Sequence, residues 1–228
     1  MAIVVGRLAS LLDVWFELRG TYGSTAVPRH RPRLTIGHDV ETSVTRYLIL
    51  LRGINVGGRN KVPMAPLRGL LEELGYSKVS THIASGNVIV TSRRSAGGIK
   101  RQIERALPER FRLDSERIAV RVLTHADLRA VVDHKPDGFG ERPGTYHSDA
   151  IFLIGIDAAT AMEVFDPHPQ VDRVWPGDGV IYSQRLSAQR TKSRLNKVIT
   201  TPLYRSMTIR SWSTTLALLE RMEEGEHP

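Results

Sequence analysis

The sequence contains no cysteine. That excludes disulfide bridges, thiolate nucleophiles and cysteine-ligated zinc or iron–sulfur centres, and it suits a reducing cytoplasm. No apolar run approaches the roughly 18 residues that a membrane-spanning helix needs, so no membrane partner is expected. The eight histidines are scattered, without an H-x-x-x-H pair, and give no metal-ligand pattern. Three glycine signatures are also missing: the Walker A loop, the G-x-G-x-x-G turn and the G-x-S-x-G elbow. No cofactor is therefore expected, and no catalytic residue can be assigned. Aromatic residues make up only 6% of the chain.

What is present is an ordinary globular composition with a basic bias. The chain has 228 residues, of which 41% are hydrophobic, and a formal net charge of +8. A core of normal size can be buried. Arginine matches phosphate and carboxylate oxygens in a bidentate way, so the charge admits a phosphorylated or nucleic-acid partner. A solvated basic surface accounts for the same charge without any partner.

Residues 1–45 differ from the rest of the chain. An amphipathic pattern (Val4, Leu8, Leu11, Leu12, Trp15, Leu18) leads into an aperiodic stretch containing PRHRPR at 28–33. This is linker composition, read as a disordered leader or a misassigned start, with a basic nucleic-acid arm as the alternative. From residue 46 the pattern becomes regular. A continuous apolar strand at 47–51 is followed by a helix over 65–74 that stops at Gly75. Two β-branched strands, 78–83 and 87–91, flank a tight turn at Ser85-Gly86. A helix over 98–107, ended by Pro108, and a strand at 118–123 complete the order β-α-β-β-α-β, that of a ferredoxin-like unit. Thr124 caps a further helix to about 133. Residues 134–147, rich in Gly and Pro, read as a linker. Residues 148–228 repeat the order: strand 149–154, helix 158–165, strands 172–175 and 180–183 around a Pro-Gly-Asp-Gly turn, a helix over 193–200, a strand at 206–210 and a last helix. The chain is thus expected to be α+β, with two ferredoxin-like (βαββαβ) subdomains in tandem, 46–133 and 148–228.

In such a sheet the first and third strands are antiparallel neighbours. Arg52-Gly53-Ile54-Asn55 must then lie beside Ser85-Gly86-Asn87, next to the start of the first helix. Gly57-Gly58 can form a backbone nest for an anion, the helix N-terminus adds partial positive charge, and Arg52, Arg59 and Lys61 add full charges. The candidate anion site is Arg52, Asn55, Gly57, Gly58, Asn60, Lys61, Ser85 and Asn87. Arg210 joins it if the two subdomains pack with these ends together. The alternative is that the glycines only turn the chain and the asparagines only cap it. The cluster Arg190, Lys192, Arg194, Lys197 reads as the wet face of a helix, and Trp212 as core.

The same residues carry a resemblance. LRGINVGG at 51–58, Lys61-Val62-Pro63-Met64 and the SGNV turn at 85–88 resemble the domain-of-unknown-function family DUF1697. Thr208, Arg210, Trp212 and Thr214 fit its C-terminal pattern, with Ser211 where Asn is usual, so the likeness runs from about 46 to 222. The resemblance implies a mostly bacterial α+β protein with ferredoxin-like parts and implies no activity. An RNA-recognition domain has the same strand order but stacks bases on aromatics of its first and third strands. Only Tyr47 is available here, which leaves phosphate-backbone contact without stacking. The leading expectation is therefore binding of a phosphorylated small molecule or nucleic-acid backbone. An enzyme of unassigned class in the same pocket and a structural or protein-interaction module are the alternatives.

Overall fold

In the computed structural model residues 43–224 are described. The leader reading of residues 1–45 lies almost entirely outside them. The first sheet is built from β1 (Thr45–Leu51), β2 (Ser77–His82), β3 (Asn87–Ser92) and β4 (Val120–Thr124) in the order β2-β3-β1-β4. All three pairings are antiparallel. β1 takes the centre because its run of apolar residues can be buried on both faces. Tyr47, Ile49 and Leu51 point one way, onto α1 (Met64–Glu73) and α2 (Ala96–Arg110), while Leu48 and Leu50 point the other way.

The second sheet repeats the arrangement. β5 (Tyr146–Leu153), β6 (Asp172–Gly177), β7 (Val180–Leu186) and β8 (Met207–Ser211) are ordered β6-β7-β5-β8, with α4 (Ala158–Met162) as the first crossover. Both halves are ferredoxin-like, as the sequence order requires. Each half is followed by a helix, α3 (His125–Asp133) after β4 and α5 (Trp212–Glu223) after β8. These two helices share one core with the inner faces of both sheets: Leu48, Leu50, Ile89 and Leu123 from the first, Ala150, Phe152, Val180 and Tyr182 from the second, with Leu128, Val131, Leu218 and Met222 from the helices.

Three local expectations change. Pro108 lies inside α2 instead of ending it. It removes only one donor in the last turns, and the helix still closes with the Phe111 N–H donating to Leu107 O at 2.9 Å. The helix expected over 193–200 is replaced by 3₁₀ turns, Ser187–Lys192, Leu195–Thr200 and Pro202–Ser206. A run of β-branched residues (Val198, Ile199, Thr200, Thr201) ending in Pro202 disfavours a continued α-helix. Arg194 and Lys197 lie at the surface there and pair with Asp166. Finally, the Gly/Pro-rich connection between the halves is anchored, since Phe139 is fully buried in the core between the sheets.

Candidate functional site

β1 ends at Leu51 and β3 begins at Asn87, with Leu50 opposite Asn87 in register and the Leu51 N–H donating to Gly86 O at 2.8 Å. The loop after β1 and the Ser85-Gly86-Asn87 turn are thus held side by side. Gly86 has φ +80°, and a Cβ there would sit 2.9 Å from Leu51 Cβ and 3.0 Å from Ile54. The turn needs glycine both for its backbone and for its closeness to β1.

The asparagines are engaged inside the loop. Asn55, at φ 55°, donates Nδ2 to Val62 O and Ala84 O, and its Oδ1 accepts from Val62 N–H, each at 2.8 Å. Asn60 is buried. Its Nδ2 donates to Gly53 O and Ser115 Oγ, its Oδ1 accepts from the N–H groups of Asp114 and Ser115, and its own N–H donates to Asp114 Oδ2 at 2.5 Å. Asn87 is fully buried and donates Nδ2 to His82 O and Ser85 Oγ. Asn55→Ala should cost about 2 kcal/mol, from the lost bridges and an alanine forced into the left-handed region. Urea denaturation reads this, and Asn55→Gly should recover part of the loss.

Arg210, on β8, reaches across from the second half. Its Nε donates to Asn87 Oδ1, Nη1 to Thr208 Oγ1 (2.9 Å) and Ile209 O (2.8 Å), and Nη2 to Leu51 O (3.0 Å) and Ser85 O (3.1 Å). All five donors of the guanidinium are engaged. Burial lowers its pKa to about 10, so it is charged at neutral pH. It does join the two halves at the motif, with no donor left over for a ligand.

Gly57 and Gly58 both have positive φ, 58° and 77°, between Val56 and Arg59, which form an isolated bridge. This is the primed two-residue turn of a small hairpin. Two successive residues of the same hand do not make the αR–αL alternation of an anion nest. The tip is exposed, as are Arg59 and Lys61. Arg52 differs from both. Its Nε donates to Tyr204 O (3.2 Å) and Met207 O (3.1 Å), and its Cζ lies 4.8 Å from the Tyr204 ring centroid. Both Nη groups of Arg52 carry no hydrogen bond within the described residues.

Sequence reasoning missed Asp114 and Ser115, which lock Asn60, and Tyr204, which seats Arg52. Their separations of more than 50 residues along the chain leave no local signal. Two clefts lie away from the motif, on either side of Arg121. Among the described residues there is no cluster of metal-ligating side chains and no helix long and apolar enough to cross a membrane.

Residues 44–182, more than half of the chain, match the family model described as a protein of unknown function, DUF1697. The chain belongs to this family. The conserved bacterial protein SP0830 from Streptococcus pneumoniae is similar in structure, with a TM-score of 0.67 and 28% identity over 79% of this chain and 99% of that one. No curated protein matches. The DUF1697 match ends before β8, so the Thr208–Thr214 pattern lies outside it. Ser211, which stands where the resemblance leads one to expect Asn, caps α5 by accepting from the Thr214 N–H at 3.2 Å. Ser and Asn are both strong N-caps, so the difference is chemically small.

Proposed function

We propose that this DUF1697 protein is a cytoplasmic binding protein for an anionic ligand, a phosphorylated small molecule or a nucleic-acid backbone, at the exposed side of the LRGINVGG loop. The observation that carries this reading is Arg52. Its guanidinium is seated by Nε and by the Tyr204 ring, while both Nη groups have no acceptor among the described residues. A fork fixed in this way suits bidentate contact with an oxyanion. Lys61 and Arg59 supply exposed charge, Ser85 a hydroxyl, and Gly57-Gly58 a tip bare of side chains. Asn55, Asn60, Asn87 and Arg210 act behind them by keeping the loop rigid.

A second reading, a motif that serves only to join the two halves, is favoured by the internal engagement of those same four polar residues. Thermal-shift screening against phosphorylated metabolites, nucleotides and oligonucleotides separates the two. The binding reading expects a ligand that shifts the wild type and fails to shift Arg52→Ala/Lys61→Ala. A nucleic-acid ligand adds a steep loss of affinity with salt. If no ligand shifts the wild type, or both proteins shift equally, the joining reading stands.

A further inference from the structure

We infer that the cleft where Arg121 meets the β6–β7 turn is a separate site for a small zwitterion, a molecule of amino-acid type with one carboxylate and one ammonium group. Arg121 lies in β4 opposite Leu50 of β1, and Leu50 and Leu123 belong to the core shared by both sheets. Residues paired across strands, or two apart along one, share a face, so Arg121 projects toward the second sheet. The guanidinium lies against Gly179, since a Cβ there would be 3.0 Å from Nη2 and 3.8 Å from Cζ. Arg121 and Gly179 line the same cleft, about 140 Å³ in volume. Arg121 makes no hydrogen bond or ion pair among the described residues, and its Nε is buried without an acceptor. A guanidinium drawn out of water without a partner opposes folding, and a bound carboxylate offsets that cost.

The other charges of the lining decide what else the ligand carries. Asp127, from α3, and Asp178, from the turn itself, stand on this cleft, and His134 is its remaining titratable group. Asp127 accepts the Thr124 N–H at 2.8 Å. Asp178 has no hydrogen bond or ion pair among the described residues, although it directly precedes the Gly179 on which the guanidinium rests. One cleft thus offers an open fork and an open carboxylate that do not reach each other. A simple anion on Arg121 would face two carboxylates, and a simple cation on Asp178 would face the guanidinium. A zwitterion satisfies both. Its carboxylate accepts two bonds from Arg121, its ammonium donates to Asp178, and Asp127 adds negative charge on the ammonium's side of the balance. Leu123, Val131 and Phe152 form the apolar part of the wall, where a lower dielectric strengthens both contacts. The volume lies below the roughly 300 Å³ at which pockets for drug-sized ligands begin, so the ligand is small.

The test is calorimetric titration of the full chain at neutral pH with three zwitterions of increasing charge separation: L-alanine, β-alanine and 4-aminobutyrate. Propionate and ethylamine serve as controls that carry one charge each. At least one zwitterion should bind saturably at millimolar concentration or below, and both controls should bind about tenfold more weakly or worse, since each keeps one charged contact of two. Arg121→Met and Asp178→Asn should each lose about tenfold in affinity or more. Asn suits a turn as Asp does, so Asp178→Asn should fold normally. Arg121→Lys keeps the charge without the fork and should fall between the wild type and Arg121→Met. Arg52→Ala/Lys61→Ala should bind as the wild type does, which separates this site from the motif. No binding by any zwitterion at millimolar concentration, a control that binds as tightly as the best zwitterion, or an affinity that survives Arg121→Met or Asp178→Asn would each overturn the inference.

Discussion

Arg210→Ala is expected to destabilise the protein by about 3–5 kcal/mol and to lower Tm by roughly 10 °C. The side chain ties β8 to the end of β1 and to the Ser85–Asn87 turn by bonds to Leu51 O, Ser85 O and Asn87 Oδ1. Truncation leaves these acceptors open in a place where the arginine itself is only 7% exposed. The charge is not the source of the stability. Burial depresses the guanidinium to about 10, so the folded state holds this proton less tightly than the unfolded chain does. That contribution opposes folding at every pH below about 10 and diminishes only as pH rises from there toward the ordinary arginine value, so it adds no slope between about pH 5 and 8. What stabilises is the set of five bonds. Arg210→Lys, which keeps the charge but not the fork, should therefore recover little. Chemical denaturation of the three proteins reads the order, and a loss below about 1 kcal/mol for Arg210→Ala would show that water replaces these bonds freely.

The same cluster shows how far the sequence could be read. The unbroken apolar run of β1 and the alternation of strands and helices pointed to both ferredoxin-like sheets. Antiparallel pairing of β1 with β3 then placed Arg52–Asn55 beside Ser85–Asn87 from strand order alone. The role of the asparagines was not legible. An Asn amide offers the same donor and acceptor to a ligand as to a neighbouring backbone, and which one it meets depends on residues far away in the chain. Asn60 meets Asp114 and Ser115, and Asn87 meets Arg210, from different elements altogether. The Gly57-Gly58 pair fits a nest or a primed turn equally well by composition, and only the sign of both φ angles separates them.

Composition also concealed Phe139, because a segment rich in Gly and Pro reads as a connection whatever single aromatic it carries. Phe139→Ala is expected to cost about 4 kcal/mol, whereas a substitution in a solvated linker would stay within about 0.5 kcal/mol. The ring is fully buried and meets Trp212, Tyr182 and Trp175 edge-on, with centroids 5.0, 5.2 and 6.0 Å away. Each such pair contributes about 0.5–1.5 kcal/mol beyond the area it buries. The cavity left behind cannot be closed by moving the segment inward. The next residue, Gly140, already lies against Trp212, where a Cβ would come within 2.3 Å of Cδ1. The indole cannot easily follow either, because Trp212 begins α5 under the Ser211 cap. The cost should therefore lie toward the upper part of the range for aromatic truncation, with a loss of near-UV dichroism from the two tryptophans around the gap. Phe139→Leu, which restores most of the volume, should cost about 1.5 kcal/mol or less. If alanine and leucine behave alike, the ring is not what holds this segment between the two sheets.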